Sequence, residues 1–344
     1  MVDPLVLFII VMVLSVGFDF VNGFHDTANA IATVVATRVL TPGQAILMSA
    51  SLNFIGAMTG TAVAKTITSG LISPEVAGTH PYIIVAALLS AITWNIITWF
   101  YGIPSSSSHA LIGGLLGAAV TATSSLATPK WDNVLLKVIL PLIISPVVGF
   151  IAAWFVMIVL LRLFAKRTPS QVQGTFGKLQ IASSAFMAFS HGSNDAQKTM
   201  GIMALALLTY QHHGANVPIP ADFPIPAWIK LTAAIAMGTG TAFGGWRIIK
   251  TMGHKLARLQ PIHGFAAETA AATIIETASR LGWPLSTTHV ISSSILGTGA
   301  SRGFNAVRWN IAGSIVTAWV LTIPLCMALA SLFYAVLRAV FHLA

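Results

Sequence analysis

The sequence predicts an all-α polytopic membrane protein made of two inverted-topology repeats, with broken helices and paired re-entrant or discontinuous Pro-Ser/Thr segments. Three observations carry this. The 344-residue chain is 56% hydrophobic and 8% charged, with more apolar surface than a soluble domain could hide. Its apolar runs repeatedly approach the roughly 20 residues that span a bilayer core. Two different motifs also occur twice each, in the same order, so a duplication precedes any other fold argument.

The first motif is NGFHDTANA at Asn22–Ala30, which returns as HGSNDAQKT at His191–Thr199. Gly23 meets Gly192, His25 meets Asn194, Asp26 meets Asp195 and Asn29 meets Lys198. The second is GIPSSSSHALIGGLLGA at Gly102–Ala118, which returns as GWPLSTTHVISSSILGT at Gly282–Thr298. Here Gly102 meets Gly282, Pro104 meets Pro284, Ser106 meets Ser286, His109 meets His289 and Gly117 meets Gly297. The halves so defined are residues 1–164 and 179–344, joined by a connection at 165–178.

In chain order, Leu5–Phe20 reads as a helix interrupted around Asn22–Asp26, where Asn-Gly and a carboxylate break the apolar run, and resumed through Ala30–Thr37. Such a break survives in a membrane only where protein or a wet cavity satisfies the freed backbone groups. Gln44–Lys65 and Tyr82–Tyr101 read as ordinary spans, with Gly56 and Gly60 suited to close helix packing. Gly102–Ser124 opens with Pro104 and a serine run and is short for a crossing, so it either re-enters or forms part of a discontinuous span. Asp132–Phe164 contains Pro141 and Pro146, which are enough to kink it. The second half repeats the plan: a broken span through His191–Lys198, a polar loop at Tyr210–Pro226, a span at Trp228–Ile249, a segment carrying Glu268 and Glu276, then Gly282–Thr298. Ala306–Leu337 closes the chain.

The net charge of +9 comes from basic residues scattered between apolar segments, not from a stripe, which argues against nucleic acid as a partner and for the lipid bilayer. Arg162, Lys166, Arg167 and Lys178 surround the central connection, and Arg247, Lys250, Lys255 and Arg258 surround a later one. The positive-inside rule places both in the cytoplasm of a multi-pass cell-membrane protein. Five crossings per half, each Pro-Ser/Thr segment counted as one broken crossing, then leave both termini outside, although Lys130 and Lys137 fall on the wrong side. The single Cys326 excludes an internal disulfide and a cysteine-built metal site. Met1–Phe18 lacks the basic start of a cleavable signal.

Of nine acidic residues, Asp19, Asp26, Asp195, Glu268 and Glu276 lie inside or beside apolar segments. Intramembrane acids mark ion or substrate paths, with structural pairing as the plainer alternative. Asn29 and Asn194 add the neutral oxygens that a hard cation needs, or they form interhelical amide bonds. Lys198 replaces Asn29 in the second copy, so it either pairs with Asp195 or faces an anion. Ser105–Ser108 and Ser286–Thr288 each stand at a helix start, where free N–H groups, the dipole and side-chain hydroxyls favour an anion. Two such starts meeting from opposite sides form an anion cradle near the membrane midplane; plain N-capping is the alternative. His25, His191, His109 and His289 could relay protons or only pack. A Ser-His-Asp hydrolase is disfavoured, because Ser and Asp elements are duplicated equally whereas a triad needs one nucleophile.

These residues resemble the inorganic phosphate transporter (PiT) family. Its signature G-x-N-D-x-A-N-A is matched by Gly192, Ser193, Asn194, Asp195 and Ala196, and by Gly23, Asp26, Ala28, Asn29 and Ala30. Pro-Ser-Ser-Ser-Ser-His and Pro-Leu-Ser-Thr-Thr-His resemble the paired segments of the same family, so the likeness covers essentially the whole chain. It implies a symporter, not an enzyme, that moves phosphate with H+ or Na+, in some bacterial members as a neutral metal–phosphate complex, with no cofactor. By position, it implies Ser106, Ser107, Ser108, Ser286, Thr287, Thr288, Asp26 and Asp195 as phosphate contacts. Asp26, Asn29, Asn194, Asp195, His25 and Lys198 become the coupling residues, and Asp26, Asn29 and Asp195 a candidate metal set. His25 and the Gln197-Lys198-Thr199 run depart from the signature. Both remove neutral oxygens and add titratable nitrogen, which favours protons over sodium. Hydrogen phosphate can donate its P–OH to Asp26 or Asp195, whereas sulfate cannot, so a sulfate permease ranks second. A passive anion channel would need no buried acids. A homodimer is compatible with all of this.

Overall fold

The computed structural model describes residues 3–212 and 223–341, and among them it is helical, with a single isolated bridge between Ala257 and Val307. The first half comprises α1 (Pro4–Ala36), α2 (Pro42–Ala57), α3 (Ala62–Gly70), α4 (Pro74–Thr79), α5 (Tyr82–Tyr101), α6 (Ser107–Thr123), α7 (Trp131–Val134), a π-helical turn at Leu135–Ile139 and α8 (Leu140–Leu163). The second comprises α9 (Pro169–Gln211), α10 (Ala227–Phe243), α11 (Trp246–Lys250), a π-helical turn at Thr251–Lys255, α12 (Pro261–Arg280), α13 (Thr287–Ala300) and α14 (Trp309–Phe341). The π turn at Leu135–Ile139 lies just before Pro141, which has no N–H to continue the α pattern.

The breaks are not where the sequence places them. Helix α1 runs unbroken for 33 residues and α9 for 43, straight through both Asp motifs. Thr27, Asn29, His191 and Lys198 find partners on neighbouring helices, so these polar residues are accommodated without opening the backbone. The break falls instead in the expected Gln44–Lys65 span, where α2 and α3 meet at 69° about residues 58–61. There Gly60 takes φ 60°, and the exposed start of α3 is satisfied by Gln197, whose Oε1 accepts the Val63 N–H at 2.9 Å. The expected Trp228–Ile249 span likewise ends at Phe243, at Gly244 with φ 70°, before α11 begins. The connection expected over 165–178 is shorter, because Thr168 caps a helix that begins at Pro169.

The outer surface is apolar, and the ionisable side chains of both Asp motifs are gathered inside among buried hydrophobic clusters. Ile9 and Val13 on α1, Ile143, Val147 and Phe155 on α8 and Val320 and Val336 on α14 are exposed, as lipid-facing side chains are, while Asp19, Asp26, His25, His191, Asp195 and Glu268 are buried. Helices α1 and α9 pack antiparallel: Thr199 bonds Asp19, Ser184 bonds the Ala30 carbonyl and Thr37 bonds Gln180. Glycine permits the close approaches on both. A Cβ on Gly23 would strike the α10 backbone at Met237, and one on Gly192 the α2 backbone at Asn53.

Helices α5 and α6 form an antiparallel hairpin, with Gly114 against the Ala87 backbone. Its open end lies beside the end of α14, where Tyr82 stacks on Phe341 at 5.6 Å. Helices α12 and α13 form a second hairpin, whose open end meets the junction of α8 and α9 around Phe164, Arg167, Gln260 and Arg302. The two hairpins therefore enter from opposite ends of the bundle. Each returns to its own end instead of crossing, so two of the five crossings expected in each half become the two arms of one hairpin. Each return helix packs on the other half: Gly117 of α6 against Met327 of α14, and Gly297 of α13 against Phe150 of α8.

Candidate functional site

The second motif builds the hairpin tips. Gly102 (φ 67°) and Gly282 (φ 73°) end α5 and α12 in the left-handed region that glycine adopts without a Cβ clash. Pro104 and Pro284 disfavour the helical region for the residues before them, Ile103 and Trp283, so the helices do not run on through the tips. Ser106 and Ser286 then cap the return helices, each Oγ accepting a histidine N–H, from His109 at 3.2 Å and from His289 at 3.3 Å. The capping alternative thus holds for these two serines. Ser107, Ser108, Thr287 and Thr288 follow in the first turns of α6 and α13, all buried. The tips meet: Ser108 Oγ is 3.4 Å from the Leu285 carbonyl.

The first motif supplies the charges. Asp26 and Asp195 face one another across His191, whose Nε2 is 3.2 Å from Asp195 Oδ2 and 4.0 Å from Asp26 Oδ2. His191 Nδ1 lies 3.0 Å from Asn53 Oδ1, which orients the ring. His25 Nδ1 is 2.5 Å from Asp26 Oδ1, and its Nε2 is 3.0 Å from Thr98 Oγ1. Lys198 donates to Asp195 Oδ1, to Ser108 Oγ at 2.5 Å and to the Leu285 carbonyl at 2.8 Å. It therefore joins one Asp motif to both hairpin tips.

The tips and the acids interlock. Thr287 Oγ1 donates to Asp195 Oδ2 at 3.1 Å and Thr288 Oγ1 to Asp26 Oδ2 at 3.4 Å. Asn29 Nδ2 donates to the same two hydroxyls, at 3.2 and 3.0 Å. Asn194 reaches the tip backbone, donating to the Trp283 carbonyl at 3.3 Å. Its Oδ1, and Ser107 Oγ, are buried without a partner among the described residues. The four tip residues Ser107, Ser108, Thr287 and Thr288, the Asp pair, Asn29, His25 and Lys198 therefore lie in one buried cluster. His109 and His289 form a separate contact behind it, with ring centroids 4.8 Å apart and His289 stacked on Trp319 at 4.1 Å.

Sequence reasoning named His191 only as one of four histidines that could relay protons or pack, outside the phosphate, coupling and metal sets, and the structure puts it between the two aspartates. It stands four residues before Asp195, on the same helix face, a spacing that could have flagged it. Thr98, Asn53 and Gln197 carried no signal, because their partners come from distant helices. Asp26, His191 and Asp195 each offer a ligand atom, all within 4.8 Å of one another. One nitrogen and two carboxylates suit a borderline divalent ion; of the expected set, Asp26 and Asp195 are in this group, while Asn29 Nδ2 donates to the tip hydroxyls.

Chemically, the cluster offers hydroxyl donors and two helix N-termini for the oxygens of an anion, an ammonium to balance its charge, and carboxylates able to accept a proton from it. The model of the phosphate transporter family matches residues 22–330. A Bacillus subtilis protein named as a probable low-affinity inorganic phosphate transporter is 44% identical over 98% of this chain and 99% of its own. A Rhizobium meliloti protein of the same name is 46% identical over 92% of both chains. A solved structure titled as the sodium-dependent phosphate transporter superposes with a TM-score of 0.86 at 26% identity, covering 97% of this chain and 99% of the other.

Proposed function

The chain belongs to the phosphate transporter family, and we propose that it is a proton-driven symporter that binds phosphate near the membrane midplane, between two inverted repeats. The opposed hairpins and the reciprocal packing of α6 on α14 and α13 on α8 support the inverted arrangement. In this reading the phosphate oxygens take the hydroxyls of Ser107, Ser108, Thr287 and Thr288 and the ammonium of Lys198. Ser106 and Ser286 hold the two helix starts in place, and Asp26 or Asp195 accepts the P–OH that distinguishes hydrogen phosphate from sulfate. His25, Asn29 and Asn194 hold the acids and the tips in register. The two basic connections face the cytoplasm and both termini lie outside.

The observation that carries proton coupling is that each carboxylate already has a nitrogen partner, His25 for Asp26 and Lys198 for Asp195, with His191 between them. Sodium prefers a cage of oxygens, whereas this cluster is built of groups that trade protons. Sodium coupling is the second reading, favoured by the name of the structural neighbour. The Asp26, His191 and Asp195 set also suits the divalent ion of a metal–phosphate cargo.

Labelled phosphate uptake into proteoliposomes tests this, with proton and sodium gradients imposed separately and with excess sulfate or added Mg2+ as further arms. Proton-driven uptake that ignores sulfate is expected. Sodium-driven uptake would replace the coupling ion, and sulfate competition the substrate.

A further inference from the structure

The contact between α1 and α9 carries polar side chains far beyond the central cluster. Toward the end where Phe8 stacks on Tyr210, Thr199 Oγ1 donates to Asp19 Oδ1 at 2.9 Å. Toward the other end, the Thr33 and Ser183 hydroxyls both donate to Glu268 of α12, and Gln180 Nε2 lies 3.4 Å from Glu268 Oε1. Thr37 Oγ1 closes the series on Gln180 Oε1 at 2.8 Å. From Asp19 to Thr37 the helix rises about 27 Å, close to the roughly 30 Å of a hydrocarbon core. Asp19, Asp26 and Thr33 recur along α1 at steps of about 10 Å.

Packing alone does not call for this ladder. Asp19 Oδ2, Ser15 Oγ and Asn22 Oδ1 are buried without a partner among the described residues. Ser15 and Asn22 stand four before and three after Asp19, on its own helix face. A buried carboxylate oxygen lacking a donor is costly, and a proton on it, donated to either neighbour, removes that cost. Glu268 makes no ion pair among the described residues; its partners there are hydroxyls and an amide, which can bond to either the acid or the anion.

We propose that the α1–α9 seam is the route by which the coupling proton reaches and leaves the central acid pair, with Asp19 and Glu268 as its outer carriers. The proposal rests on the proton-coupled reading. The charged groups acting on Asp19 are Asp195, His191 and Lys198 of α9. A proton leaving the Asp19 carboxyl regenerates its carboxylate and moves inward along the seam. It then passes to the Glu268 carboxylate and is released beyond Gln180 and Thr37. Water or side-chain rotation bridges each step, since about 10 Å exceeds one hydrogen bond.

The test compares wild type, Asp19→Asn and Glu268→Gln in proteoliposomes, measuring phosphate accumulation under a proton gradient, the accompanying change of internal pH, and phosphate–phosphate counterflow at equal pH. Both variants should lose accumulation and proton entry while still exchanging phosphate. Accumulation equal to wild type would overturn the proposal, as would loss of counterflow in variants that melt like wild type. Should either variant fail to fold, Asp19→Glu and Glu268→Asp carry the test. The pH of half-maximal driven uptake moves if these carboxyls carry the proton, and a wild-type value overturns the route. A wild type driven only by sodium overturns the underlying reading itself, whatever the variants do.

Discussion

Replacing Lys198 with Met tests the electrostatic core of the site. Its ammonium donates to Asp195, to Ser108 and to the Leu285 carbonyl, all of them buried. Removing one partner of a buried ion pair costs about 3–5 kcal/mol, because the other charge is left uncompensated. Asp195 keeps His191 at 3.2 Å and Thr287 at 3.1 Å, so the lower figure applies. About 3 kcal/mol corresponds to roughly a hundredfold change in an equilibrium. Melting in detergent, with and without phosphate, and KM for uptake together divide that loss between folding and binding. Lys198→Met should melt earlier and lose phosphate protection. Adding Asp195→Asn removes the stranded charge, so the double variant should regain stability over Lys198→Met while remaining unable to accumulate phosphate. If the two effects instead add to within about 0.5 kcal/mol, the residues are not coupled and the pairing argument fails.

Further outcomes follow from particular contacts. Gly192→Val places a branched side chain against the α2 backbone at Asn53 and should cost about 1–3 kcal/mol of overpacking, read as a lower melting temperature. Gln197→Leu strands the Val63 N–H, a loss of about 1–3 kcal/mol, and hydrogen exchange should accelerate at the start of α3. Ser286→Ala removes a cap worth about 1 kcal/mol and should lower the melting temperature with little change in KM. Thr287→Val removes a hydroxyl from the proposed phosphate contacts together with the bond it gives Asp195, so it should raise KM and also lower the melting temperature, by a loss of about 1–3 kcal/mol.

The duplicated motifs were legible because their chemistry is local: Gly102 and Gly282 end helices, prolines enforce extension, and Ser106 and Ser286 cap within three residues. The path of α1 and α9 was not legible. Asn-Gly and an aspartate look like a break only while their partners are unknown. Gly23 and Gly192 serve close packing here, and Thr98, Asn53 and Thr241 bond His25, His191 and Thr27 from other helices. Conversely, the one local sign of the bend at residues 58–61 was Gly60, which read as a packing glycine, because the group that satisfies the start of α3, Gln197, belongs to the other half of the chain.

A pair of buried aspartates would ordinarily repel a phosphate, and the arrangement of partners explains how one site can hold both. Asp195 is bound by Lys198, which also reaches Ser108 on the opposing hairpin tip, so its charge is balanced before any anion arrives. Asp26 has a histidine partner at 2.5 Å. On the proposed mechanism the cluster therefore becomes attractive to an anion when it gains a proton and repulsive when it loses one, which is the linkage a symporter requires. The hairpins supply the other half of that requirement. On the same proposal, the tips touch the phosphate site from opposite ends of the bundle, so displacement of one tip would expose the site to one side while the other tip keeps it closed. A cross-link between residues near Ser108 and Leu285 should consequently block turnover in both directions, with phosphate protecting the engineered cysteines from reaction. Transport that continued through a closed cross-link would show that access does not pass between the tips.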